Sequence, residues 1–304
     1  MKMNHQYENC GLCPRECKVN REKGQSGICK VTSKIKVARA ALHYWEESCI
    51  SGTKGSGTVF FSGCSLRCVF CQNDSIAQGI AGKEISKERL KEIFLELQEK
   101  GANNINLVTP GQYVPDIIWS VEHARDEGLD IPIVYNTSSY EKTDTIKSLE
   151  GIVDVYLPDF KYWNPEIAAK YSHAPDYPEV AKKAIAEMVR QQPVPEFYEK
   201  EGQELMKKGV IVRQLLLPGQ LEDAKKVIAY LHKTYGNQIF LSLMSQFTPL
   251  PHVEKYPELN RKVSRRTYEK YVDYAIEIGV ENGYIQEEDV AEESFIPEFN
   301  GEGV

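Results

Sequence analysis

The chain has 304 residues and a formal net charge of −7, enough length for one large α/β domain with an appendage. The acidic balance shows no basic stripe, which argues against a nucleic-acid partner. Met1-Lys2-Met3-Asn4-His5-Gln6 lacks the apolar core of a signal peptide, and no apolar run approaches membrane-spanning length. Eight cysteines in such a chain point to metal ligation in a reducing compartment, so a cytoplasmic location is expected.

The first cysteine cluster is Cys10-x2-Cys13-x3-Cys17, followed by Cys29. Set among Gly11, Pro14, Gly24 and Gly27, these four side chains can close a tetrahedral site. Zinc and a second iron–sulfur cluster both fit four thiolates, and the reading leans to zinc or another structural role. A metal would supply folding energy that so small a region lacks. Lys34 to Ala40 reads as a strand, and Cys49 as a packing residue. His43-Tyr44-Trp45-Glu46-Glu47 reads as a lead-in to the next unit and not as an acid–base pair.

From Thr58 onward, short apolar runs alternate with helical patterns, the signal of β/α units around parallel strands. The expected strands are 58–61, 104–108, 131–135, 153–157, 210–216 and 239–244. A helix follows Ser86, with Leu90, Ile93, Phe94 and Leu97 at helical spacing and Gly101 as its stop. Pro115 opens a second helix. Residues 166–208 read as a largely helical excursion broken by Pro193 and Pro195. Further helices are expected over 221 to about 233 and about 264 to 278. Six strands favour an open six-stranded α/β barrel. The alternative, a doubly wound sheet, lacks a G-x-G-x-x-G after the first strand. The expected units are a Cys-rich metal-binding extension over 1–55, the barrel over 56–290, and an acidic tail over 291–304 that is expected to be mobile.

The first barrel strand delivers Cys64, Cys68 and Cys71, spaced C-x3-C-x2-C with Phe70 before the third. Three thiolates on one loop can hold three corners of a [4Fe-4S] cluster and leave the fourth iron open. Structural zinc wants a fourth ligand, which does not follow nearby. Packing or redox cysteines are the plainer alternative. In β/α barrels the loops after the strands build the active site. Here those loops carry Thr109-Pro110-Gly111-Gln112, Asn136-Thr137-Ser138-Ser139, Asp159-Phe160-Lys161, then Arg213 with Pro218-Gly219, and Ser245-Gln246. Tyr171, His173 and Tyr177 read as structural, for want of a paired base.

The cysteine loop resembles the signature of the radical S-adenosylmethionine (SAM) superfamily, C-x3-C-x-aromatic-C. Cys68-Val69-Phe70-Cys71-Gln72-Asn73, Asp159-Phe160-Lys161, and Val212-Arg213 through Leu217-Pro218-Gly219 resemble the pyruvate formate-lyase activating enzymes. Nearly the whole chain resembles their uncharacterised radical SAM relatives. The matching stretches are Cys10-Gly11-Leu12-Cys13-Pro14-Arg15-Glu16-Cys17, Gly55-Ser56-Gly57-Thr58, Tyr156-Leu157-Pro158-Asp159-Phe160-Lys161 and Leu243-Met244-Ser245-Gln246.

The resemblance implies a partial (β/α)6 barrel, a [4Fe-4S] cluster on Cys64, Cys68 and Cys71, and SAM chelating the open iron. Cofactor contacts are then expected from Phe70, Thr109, Gly111, Gln112, Asn136, Asp159, Lys161, Arg213 and Gln246. Lys161 suits the methionine carboxylate as a point charge. Thr109, Gly111 and Gln112 suit the ammonium, and stand where the family has Gly-Gly-Glu. Asp159 and Asn136 offer hard oxygens for a ribose hydroxyl or a cation. Arg213 is expected to face a carboxylate.

The expected activity is reductive cleavage of SAM to a 5′-deoxyadenosyl radical that abstracts hydrogen, with a flavodoxin or ferredoxin as electron donor. The hydrogen donor is read as a glycyl radical enzyme or another protein. A small molecule is the alternative, and a non-catalytic iron–sulfur or metal-binding protein is a third class.

Overall fold

The computed structural model describes residues 6–286 and 297–304. Residues 1–5 and 287–296, among them the start of the acidic tail, lie outside the described residues. After an irregular Cys-rich segment come β1 (Ile35–His43), α1 (Ser48–Ser51) and β2 (Ser56–Phe61). Next are α2 (Asp74–Ala77), β3 (Lys83–Ile85), α3 (Lys87–Glu99), β4 (Ile105–Val108) and α4 (Val114–Asp126). β5 (Ile133–Thr137), α5 (Thr143–Lys147), β6 (Val155–Pro158), α6 (Pro165–Ser172) and α7 (Tyr177–Gln191) follow. The last third holds β7 (Glu196–Lys200), β8 (Gln203–Leu215), α8 (Leu221–Tyr235), β9 (Phe240–Met244), α9 (Arg265–Glu277) and β10 (Gly283–Ile285).

The sheet order is β10-β9-β8-β6-β5-β4-β2-β1-β3, with β7 attached to β8. Every neighbour pair from β2 to β10 is parallel. β1 is antiparallel to both β2 and β3. This is the expected α/β partial barrel, its six parallel strands joined by the short β10. The sheet runs without a break across residue 55, because His43 of β1 pairs with Ser56 of β2.

Local chemistry explains the main elements. Ser86 caps α3 by accepting from the Arg89 amide, and Leu90, Ile93, Phe94 and Leu97 form its buried face. Each such side chain contributes about 1.5–3 kcal/mol relative to exposure. Ser264 caps α9 in the same way, through the Thr267 amide.

Residues 196–208, expected to be helical, form the hairpin of β7 and β8 instead. Lys200 pairs with Gln203, leaving Glu201 and Gly202 as a two-residue turn with φ of +52° and +76°. Two positive φ values are what the favoured hairpin turn requires, and Gly202 supplies one at no steric cost.

Side chains alternate between the barrel lumen and the helices. Toward one end of the lumen, Cys49 and Ile50 of α1 pack with Val134, Val155 and Ile211, so Cys49 is a packing residue as expected. Ala38, Phe60, Ile76 and Val108 form another lumen cluster, which Phe299 joins. The C-terminal residues differ from the mobile tail expected. Gly301 donates to the Ala38 carbonyl, Ala40 donates to the Glu302 carbonyl, and Glu302 pairs with Arg39 at 2.7 Å.

Candidate active site

β2 hands the chain to the cysteine loop through Gly63, whose φ is +90°. A Cβ here would lie 2.7 Å from the Cys29 carbonyl oxygen and 2.8 Å from a Val31 methyl. The N-terminal segment is thus packed directly on the loop. Gly63→Ala is expected to cost about 1–3 kcal/mol through backbone strain and to lower iron content per chain. Urea denaturation and metal analysis check both.

Three further attachments fix the loop. Gln112 Nε2 lies within 3.0 Å of the carbonyls of Ser62, Gly63 and Thr109. Arg15 donates to the carbonyls of Ser65, Ser172 and His173. Ser172 Oγ donates to Cys68 Sγ at 3.1 Å.

Cys64, Cys68 and Cys71 line one cavity of about 250 Å³ at the carboxyl ends of the parallel strands. Phe70, Thr109, Asn136, Asp159, Lys161, Arg213 and Gln246 line it too. Gly111 and Gln112 stand behind it. Gly111 is pressed against Glu141, to which an added Cβ would come within 2.5 Å, and the Gln112 amide is occupied as described.

Lys161 Nζ is 2.7 Å from Asp159 Oδ2. Burial opposes its charge, but Asp159 and the thiols of Cys68 and Cys71 raise its pKa above the usual lysine value. Tyr177 lies behind this pair, its oxygen accepting from the Lys161 amide at 2.9 Å. His173 closes α6 in a left-handed conformation. Tyr171 donates to Glu258. None of the three lines the cavity.

The sequence reading missed the wall opposite the cysteines. His43, Trp45 and Glu46 line the cavity. Arg213 does face carboxylates, but they are the protein's own. Its Nε donates to Glu47 Oε1 at 2.9 Å, and its Nη2 bonds Glu46 and Glu47. Burial opposes the ionisation of Glu47, yet Arg213 holds its pKa below the usual value. Two adjacent glutamates just before a buried four-residue helix were the signal available in the sequence.

The donor set fits an iron–sulfur cluster. Burial and the neighbouring Cys68 push the Cys64 thiol up to about 11, and burial with Cys64 and Cys68 raises Cys71. Thiols that resist ionisation together are suited to a cationic centre, since coordination deprotonates them. Among the described residues, no three His, Cys, Asp or Glu side chains are grouped to hold a metal ion. A cubane spreads its thiolates over separate irons, a looser requirement than one ion sets. Cys10, Cys13, Cys17 and Cys29 are not grouped for one ion either. They lie in one region, where the Gly27 Cβ position is 2.6 Å from Cys17 Sγ and Arg21 Nη1 is 4.0 Å from Cys10 Sγ.

Behind Gly111, Glu141 is fully buried, and its pKa is pushed up to about 7 by burial against the pull of Thr137 and Tyr135. Below its ordinary 4.5 the group is protonated in both folded and unfolded chains. As pH rises from 4.5 to 7 the unfolded chain ionises first, so stability falls. The full penalty above pH 7 is on the order of 3 kcal/mol. Glu141→Gln is expected to flatten this decline, as read from urea denaturation of metal-free protein at pH 5 and 8.

The fold and site define a partial-barrel domain with a three-thiol loop at its mouth. The model of the Radical SAM superfamily matches residues 58–196. The uncharacterized protein MJ0674 of Methanocaldococcus jannaschii is 28% identical over 276 residues, covering 88% of this chain and 75% of that protein. SuiB of Streptococcus suis bound to S-adenosylmethionine is similar at 14% identity with a TM-score of 0.49, covering 75% of this chain. The match takes in 49% of SuiB, so the chain spans about half that protein's length. A domain of pyruvate-formate lyase-activating enzyme from Bacteroides vulgatus is 13% identical with a TM-score of 0.40, covering 59% of this chain and 91% of that domain. No helix among the described residues is long and apolar enough to cross a membrane.

Proposed function

We propose that this protein is a radical SAM enzyme whose cluster is held by Cys64, Cys68 and Cys71. The observation that carries this is the convergence of those thiols with the Asp159–Lys161 pair, Asn136 and Thr109 on one cavity. Bound there, the cluster and SAM supply reductive cleavage of the sulfonium and a 5′-deoxyadenosyl radical that takes hydrogen from the substrate. Lys161 offers a fixed positive charge to the methionine carboxylate, steadied by Asp159. Asn136 and Thr109 offer polar groups to the ammonium or ribose. Phe70 packs on Tyr162, Tyr171 and Phe247, closing the loop from behind against water.

The hydrogen donor in this reading is a glycyl radical enzyme or another protein, and the electron donor is a flavodoxin or ferredoxin. Both rest on the resemblance of the cysteine loop and of Asp159-Phe160-Lys161 to the activating enzymes. A small-molecule substrate is favoured by a different observation, the walls that Trp45 and Pro297 add to the cavity. The four N-terminal cysteines, which are not grouped for a single ion, are proposed to hold a second iron–sulfur cluster. Anaerobic reconstitution with iron and sulfide, then dithionite and SAM, is expected to yield 5′-deoxyadenosine. A protein that takes up no iron, or leaves SAM intact, would contradict the proposal.

A further inference from the structure

The wall opposite the cysteines has an unbalanced charge. Arg213 is bidentate to Glu47, an arrangement that neutralises both. Lys161 is paired with Asp159 and, in the reading above, committed to the methionine carboxylate. Arg39 of β1, which does not line the cavity, is paired with Glu302. Glu46 also touches Arg213, but one guanidinium cannot balance two carboxylates, and of the two it is Glu46 that lines the cavity.

The surroundings of Glu46 complete the picture. Asn106 Nδ2 donates to Glu46 Oε1 at 2.8 Å and fixes the carboxylate. Asn106 is fully buried on β4, behind the cavity and not part of its lining, and its Oδ1 has no partner among the described residues. Asn106 therefore orients Glu46 from behind the cavity wall. Three aromatic rings besides Phe70 also line the cavity among the described residues. They are the indole of Trp45, 62% exposed, and the rings of His43 and Phe60, whose centroids are 5.9 Å apart. Burial lowers the pKa of His43, so its ring is neutral at physiological pH. A fixed carboxylate and aromatic faces together suit a cation that donates hydrogen bonds.

We propose that Glu46, held in place by Asn106, and Trp45 form the recognition site for a protonated amine on the substrate. This rests on the reading of the cavity as the active site. The amine belongs either to a small molecule or to a lysine side chain of a protein.

The test is calorimetric titration of the anaerobic, SAM-loaded holoprotein with n-pentylammonium, 1-pentanol and pentanoate, and with a blocked Gly-Lys-Gly peptide. The ammonium is expected to bind roughly tenfold tighter than the alcohol, and the carboxylate weakest. Glu46→Gln should remove that preference while leaving the alcohol unchanged. Trp45→Ala, at an exposed position, should weaken only the ammonium and decides the matter if Glu46→Gln does not fold. Tight binding of the pentylammonium alone indicates a small-molecule amine, and of the peptide as well a lysine. Equal binding of the three pentyl probes, or a preference that survives both substitutions, overturns the proposal. Iron content and SAM cleavage test the cluster separately, so the two readings fail independently.

Discussion

Replacing Cys68 with alanine is expected to abolish 5′-deoxyadenosine formation and to reduce bound iron by about the four atoms of one cubane. Cys68 is the middle thiol of the loop and lies in the buried space that Ser172 and Phe70 enclose. Its neighbours could not replace it, because in the proposed site Cys64 and Cys71 would hold the other two corners and no further cysteine lines the cavity among the described residues. Cys49→Ala is the matched control. That thiol is equally buried, but it packs among Val134, Val155 and Ile211 outside the cavity. Iron content and SAM cleavage should be unchanged there. Loss of both in the control, or their survival in Cys68→Ala, would refute the assignment of the loop.

Arg213→Met is expected to destabilise the fold by about 3–5 kcal/mol, because it leaves Glu46 and Glu47 in the lumen without their countercharge. Met keeps most of the volume, so packing loss is small and the unpaired carboxylates dominate. Adding Glu47→Gln should recover part of the loss, since one of the two stranded charges disappears. Urea denaturation at pH 7 measures both variants. A loss below about 1 kcal/mol would mean that the trio is hydrated as a surface pair is.

The barrel was legible wherever local pattern decides structure. Apolar runs marked β2, β4, β5, β6, β8 and β9, and capped amphipathic stretches marked α3 and α9 within one or two residues. The residues after those strands could be read as a ring because parallel topology brings them to one rim. The hairpin of β7 and β8 was missed because its strands mix charged and apolar residues without clean alternation, and its turn rests on an unusual φ at Glu201. The link between Arg213 and the Glu46–Glu47 pair spans 166 positions in the chain, and no local pattern announces it. From its place after β4, Gln112 reads as a cofactor contact. Only the fold shows its amide nitrogen directed to three backbone carbonyls.

The position of residues 297–304 bears on how the molecule keeps to itself. β3 covers β1 only from Ile35 to Val37. The next main-chain groups, at Ala38 and Ala40, are met by Gly301 and Glu302. An unpaired strand rim is a template for a neighbour's backbone, and covering it removes that template. Shortening the protein before Pro297 would bare this stretch beside an apolar lumen, and clumping at high concentration would be the first symptom.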